Sequence, residues 1–275
     1  MAQTSITLTA SMRSNLSSLR SIQSQMDKTQ ERLSTGKKVN SAIDNASSYY
    51  QARSLTNRAA DLDSLLDSMG QGIQTIQAAN EGIEAITAFV EQMKSVAESA
   101  AALDPAADGY ADKVAEYAAQ FDAIKDQIVD VAKDASYQGV NLLIGNELKV
   151  VFNETRTNDL VVTGKNIVDE MAIGAATDAW EDVDDVTTSI GQITTAIETL
   201  RSFATELGNN FTIIETRQDF TEAMVDVLET GADKLVLADM NEESANYLAL
   251  QTRQQLAINS LSLASQSAQS VLSLF

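Results

Sequence analysis

The chain has no cysteine and no histidine. Without thiols, disulfides and thiol nucleophiles are excluded, and the redox compartment cannot be read from the sequence. Without imidazole, Ser-His-Asp and Cys-His catalysis, the usual zinc ligand sets and a charge switch near neutral pH are excluded too. Proline occurs once and glycine 12 times in 275 residues, aromatics make up 5%, and there is one tryptophan. So few breakers, beside abundant Ala, Gln, Leu, Ser and Asp, favour long helices over sheets. No run approaches about eighteen consecutive apolar residues, so no transmembrane helix and no membrane partner are expected. The start, MAQTSITLTASMRSNL, lacks a basic n-region, an apolar h-region and a cleavage site, so no cleaved signal peptide is expected. Cations are scarce as well: 19 Lys+Arg face 39 Asp+Glu, a formal charge of −20. Nucleic-acid binding, which needs phosphate neutralisation, is disfavoured.

What is present is a 44% share of hydrophobic residues, enough for a substantial core, and an uneven distribution of charge. Residues 1–40 carry +4, residues 41–240 carry −23, and residues 241–275 carry −1. The middle therefore holds a solvated acidic surface, while the ends cost little to bury. In the closing stretch, Tyr247, Leu250, Gln254, Ala257, Leu261, Ala264, Ala268, Val271 and Phe275 recur in steps of three and four. That spacing predicts one coiled-coil-like seam, with Ser, Gln and Asn opposite it. At the other end Leu8, Met12, Asn15, Leu19, Ile22, Met26, Thr29 and Leu33 repeat the pattern. One narrow stripe is marginal in water, so the two ends are expected to pair and bury each other's seam.

Between the ends, Asp44 to Ala100 reads as one helix, about 85 Å long at the standard rise, with a seam from Leu62 to Ala100. Gly70, Gly72 and Gly82 weaken it or admit a close neighbour. A second seam runs from Tyr110 to Ala135 and a third from Ile190 to Leu228, with Glu229-Thr-Gly-Ala as a break after it. Leu148–Phe152 and Leu160–Thr163 read as a hairpin, and residues 164–188 as irregular. The fold class is mainly α: a long antiparallel helical rod with a small β-hairpin, the hairpin far from the paired termini. Gly36 is placed to end the first helix, with Asn40, Ser41 or Asp44 capping the next. The acidic stretch from Asp178 through Trp180 to Asp185 lacks the glycine turn and spacing of a calcium loop and reads as solvated. Gly70-Gln-Gly72 lacks the third glycine of a dinucleotide motif. No catalytic, cofactor-binding or metal-binding residue is assigned, and no enzyme activity or cofactor is expected.

Glu31-Arg-Leu-Ser-Thr-Gly-Lys-Lys-Val-Asn-Ser-Ala-Ile-Asp-Asn-Ala46 resembles the bacterial flagellin signature E-R-L-S-[ST]-G-x-[KR]-[IV]-N-S-A-x-D-[DN]-A. Glu31, Arg32, Leu33, Gly36, Asn40, Ser41, Ala42 and Asp44 carry that match. Ser136–Leu143, Leu207–Phe211, Ala238–Ala245 and Leu272–Phe275 are similar to other parts of that family. The resemblance covers residues 1–143 and 190–275, and the short centre resembles a minimal type without large outer variable domains.

The resemblance implies a structural subunit that polymerises into the flagellar filament for swimming motility. Residues 1–43 and 236–275 would form the terminal coiled-coil core of the filament, and 44–235 the helical rod. Free subunits would have disordered ends that fold as they polymerise. Partners would be other copies of the chain, the flagellar type III export apparatus, a flagellin export chaperone, and the filament cap and hook-associated proteins. The product would be extracellular, secreted without a cleaved signal peptide. A hook–filament junction protein of the same family is the nearest alternative, and a secreted coiled-coil effector a further one. The segment Val90–Ala97 aligns with the stretch that the vertebrate Toll-like receptor for flagellin reads, L-Q-R-V-R-E-L-A. Here Gln92 stands where Arg is expected and Ser95 where Glu is, next to Val96, so weak or absent receptor activation is expected.

Overall fold

The computed structural model describes residues 10–176 and 180–272. Among these are six helices and two strands: α1 (Ala10–Thr35), α2 (Ala46–Ala101), α3 (Tyr110–Asp134), β1 (Glu147–Val151), β2 (Asp159–Thr163), α4 (Ile167–Met171), α5 (Val183–Val236) and α6 (Met240–Leu272). None of the helices is long and apolar enough to cross a membrane. The described residues group into two compact units. One runs up to Asn57 and resumes at Val227; the other spans Arg58–Asp226.

The central unit is built on the three predicted seams. On α2, Met69, Ile76, Ala79, Ile83, Ile86, Val90, Met93, Ala97 and Ala100 are buried at alternating steps of three and four after Met69. A continuous stripe of this kind commits one side of a helix to the core. Val114, Ala118, Phe121, Ile128 and Ala132 of α3 meet it, as do Ile193, Leu200, Phe203, Leu207 and Ile214 of α5, in a single core. The hairpin closes over the same core. Its strands pair antiparallel with Leu148 opposite Val162 and Val150 opposite Leu160, and Val150 and Val162 point inward. Two glycines of α2 admit the neighbours. A Cβ on Gly72 would stand 2.8 Å from Val150, and one on Gly82 would stand 2.7 Å from both Ala135 and Leu143, whereas Gly70 faces open space.

Several connections differ from the sequence reading. Residues 164–188 are not wholly irregular: α4 forms there, and α5 starts at Val183. Asp182 Oδ1 accepts the amides of Asp184 and Asp185, while Asp185 Oδ2 accepts those of Glu181 and Asp182. This reciprocal arrangement satisfies donors that the first helical turn leaves open. The acidic cluster is thus a helix start more than a solvated loop. Trp180 is buried against Phe121, ring centres 5.0 Å apart, and its indole N–H donates to Ser189. Asp178 lies outside the described residues.

Glu229-Thr-Gly-Ala is not a break. α5 continues through it to Val236, because Leu55 packs close to Gly231 and Ala232 is buried. Packing there outweighs the propensity cost of one glycine, roughly 1 kcal/mol. The break comes at Leu237–Asp239, where Asp239 Oδ1 accepts the amides of Asn241 and Glu242 to start α6. At the other connection Asn45, not Asn40, Ser41 or Asp44, opens α2 by accepting the amide of Ser48.

Candidate assembly interface

In the unit formed by the chain ends, α1 packs along α6. Gln23 meets Gln254 at 2.7 Å and Arg32 meets Glu243 at 2.7 Å, while Met12 and Leu16 line one cleft with Ile258 and Leu261. Rising numbers on α1 therefore meet falling numbers on α6, and the pair is antiparallel.

The expected seam residues face this contact. Met12 and Leu250 are buried; Leu19, Ile22, Met26, Leu33, Tyr247, Ala257, Leu261 and Ala264 are half-buried. Leu8 and Phe275 lie outside the described residues, and of Val271 only the backbone is described. Asn15, Thr29 and Gln254 fill the polar steps of the same stripe. The Arg32–Glu243 pair closes the seam near the helix breaks, with Glu243 nearly inaccessible. The contact is a single charge-assisted bond from Arg32 Nη1 to a shielded carboxylate, and the buried Arg32 Nε makes no hydrogen bond among the described residues.

The signature residues build the joint beside this seam. Gly36 ends α1 with φ +70°, a backbone state that other residues rarely adopt, and its amide donates to Arg32 O at 2.8 Å. Lys38 N then donates to Val236 O at 2.8 Å and Ala238 N to Gly36 O at 2.9 Å. The break after α1 is thereby stitched to the break before α6. Glu31 contributes through its carbonyl, which accepts from Thr35 Oγ1. Beyond the joint, Asp44 Oδ2 accepts the amides of Asn40 and Ser41, both at 3.1 Å, and folds residues 40–44 into a tight turn around half-buried Ala42. Those two backbone N–H groups hold the Asp44 carboxyl below its ordinary value of 3.8, with Lys28 at 3.7 Å as a smaller contribution. In the central unit, the amide of Glu154 itself and then Arg58, at 2.6 Å, lower the Glu154 carboxyl.

One part of the interface was not read from the seams. The face of α6 turned away from α1 is not simply polar: it carries Leu248, Leu256 and Leu263, 62%, 63% and 66% exposed. At 100° per residue these three share one side, roughly opposite Tyr247, Leu250 and Leu261. The steps of eight and seven between them were the available signal. The receptor-segment equivalents lie on α2, with Gln92 and Ser95 exposed and Val96 half-buried.

Comparison with known proteins places this arrangement. Residues 6–147 match the family described as bacterial flagellin N-terminal helical region, and residues 173–275 match bacterial flagellin C-terminal helical region. The second match begins ahead of residue 190, where the resemblance was expected to resume. β2 and α4 fall between the two matches. The chain is 32% identical to the flagellin FljK of Caulobacter vibrioides over 278 residues, covering 100% of both chains. It is 31% identical to a flagellin of Brucella melitensis, covering 98% of this chain and 99% of that one. The crystal structure of a Bacillus cereus flagellin aligns with 56% of this chain and 88% of its own, at TM-score 0.48 and 12% identity.

Proposed function

Given that the chain belongs to the bacterial flagellin family and is a structural subunit of the extracellular flagellar filament, we propose that it assembles by completing its terminal helix pair with apolar surface from neighbouring copies. The observation that carries this reading is α6, apolar on two opposite sides but covered by α1 on only one. An isolated stripe of leucines at such exposure loses the transfer free energy of burial, about 1.5–3 kcal/mol per side chain fully covered. Copies of the same segment supply that cover, so ordering of the ends and polymerisation are one event.

In this proposal residues 1–43 and 236–275 form the filament core and residues 44–235 the surrounding rod. Leu8, Val271 and Phe275 extend the seam to the chain ends. The ends, with net charges of only +4 and −1, suit the interior of a polymer, and the acidic middle suits its surface. The further partners are those of a subunit delivered unfolded: the flagellar type III export apparatus, an export chaperone, and the cap and hook-associated proteins. Export takes place without cleavage of a signal peptide. The full-length match to short flagellins favours the filament subunit over a junction protein.

The test is negative-stain electron microscopy of the purified chain after salt seeding. Filaments of constant diameter are expected. Rings or dispersed particles at every concentration would refute the reading.

A further inference from the structure

Ile43 stands at the tip of the 40–44 turn and is 96% exposed, the highest value among the large apolar side chains described. Single exposed apolar residues are common on soluble proteins and call for no explanation by themselves. Ile43 differs in being held. Asp44 Oδ2 accepts the adjacent amides of Asn40 and Ser41, and Asn40 Nδ2 donates to Thr35 Oγ1 at 3.0 Å. A knob already fixed in place gives up little conformational entropy when it is bound.

The central unit offers a matching hole. Between α2 and α5 lies a cleft of about 290 Å³, lined by Ile76, Leu207 and Phe211 together with the exposed Gly208 and the polar Asn80 and Glu81. At about 30 Å³ per water it has room for roughly ten waters, more than a four-carbon side chain displaces. Charge favours this cleft. Lys37 and Lys38 precede the turn; neither forms an ion pair among the described residues, and the Lys38 amino group donates to the Lys234 carbonyl at 3.1 Å. Glu81 lines the cleft and Glu84 follows one turn along α2, accepting from Asn80. Of two further clefts with apolar lining, one holds Met12, Leu16, Ile258 and Leu261, with Arg13 next to Met12 in sequence, and would repel the same lysines. The other holds Tyr110, Val114, Ala118, Trp180 and Glu181, and the neighbouring Asp182 and Asp185 already accept backbone amides.

We propose that Ile43 of one copy inserts into the α2–α5 cleft of a second copy, with Lys37 and Lys38 facing Glu81 and Glu84. Knob and hole are different surfaces, so the contact is head-to-tail, the kind that builds an open helix wherever its rotation does not close a ring. It adds a directional contact outside the terminal helices, and it rests on the filament reading above.

The chain lacks cysteine, which makes cross-linking a clean test. Full-length Ile43→Cys and Asn80→Cys variants are mixed in equal amounts, copolymerised and oxidised. Disulfide formation requires Cα atoms within about 7 Å. A covalent dimer is expected from the mixture and none from either variant alone. In parallel, Ile43→Ser and Gly208→Leu are each expected to raise the critical concentration for polymerisation by about tenfold. Ile43 is solvent-exposed and an added Cβ at Gly208 meets nothing within 4 Å, so both should fold, as circular dichroism would verify. If Gly208→Leu misfolds, the Ile43→Ser value and the cross-link decide between them. Absence of the mixed dimer, or an unchanged critical concentration in Ile43→Ser, would overturn the knob while wild-type filaments leave the filament reading standing. An effect in Ile43→Ser with none in a folded Gly208→Leu would place the knob elsewhere and also overturn it. No filaments from the wild-type chain would overturn both.

Discussion

Asp44 shows how one carboxylate can shape a turn. It accepts two backbone amides and the Ser41 hydroxyl, and those bonds favour its charged form. A carboxyl whose folded value is depressed stabilises fully above its unfolded value, here near 3.8, and loses that contribution as pH falls through the lower folded value. The 40–44 turn is therefore expected to loosen only in strong acid. NMR titration of the Asn40 and Ser41 amides should show a transition below pH 3.8 that Asp44→Asn abolishes; flat shifts in the wild type would contradict it. Glycine gives a second test at this scale. Gly70 and Gly82 share one helix, but only Gly82 has Ala135 and Leu143 against it. Gly70→Ala should stabilise by roughly 0.5–1 kcal/mol from helix propensity alone. Gly82→Ala should destabilise by about 1–3 kcal/mol through overpacking. Urea midpoints moving in the same direction would contradict this pair.

For whole elements, what the sequence revealed depended on how many sides of a helix are buried. On α1 the stripe Met12, Asn15, Leu19, Ile22, Met26, Thr29 and Leu33 matches the shielded face, because among the described residues that face packs along α6. On α5 a single stripe from Ile190 missed Ala196 and Phe203, both buried, because that helix commits a wider face to the core. The outer leucines of α6 escaped for a different reason: they lie roughly opposite the seam, on a face that α1 leaves exposed. The start of α5 was hidden because Asp182 and Asp185 resemble solvated charge until their amide partners are known. Gly231 resembled a stop because the contact with Leu55 is nonlocal. Removing Ser262–Phe275 takes Ala264 from the inner seam and Leu263 from the outer face, yet leaves the central unit's core untouched. The truncated chain should remain a soluble monomer with helical circular dichroism and form no filaments. Filaments seen by electron microscopy would refute the proposed role of the ends.

For the whole molecule, function follows from the separation of charge and apolar surface along one chain. The strongly acidic middle disfavours indiscriminate collapse, whereas the ends carry small net charges of opposite sign, +4 and −1, that do not oppose association. The same surface governs what other proteins can read. Gln92 and Ser95 are exposed on α2, at the positions where the resemblance to the receptor-read segment leads us to expect Arg and Glu. Losing two charged partners from a recognition face commonly costs several kcal/mol of binding. A cell reporter for the vertebrate flagellin receptor should respond weakly or not at all to the purified protein, and a full-strength response would refute the expectation. The hairpin loop has a practical consequence. Asn153 closes it from within by accepting the amides of Thr157 and Asn158 and donating to Thr155 and Thr157. Because the strand ladder below the loop holds its own register, a foreign peptide spliced between Thr155 and Arg156 would be displayed once per subunit, making the polymer a regularly spaced epitope array.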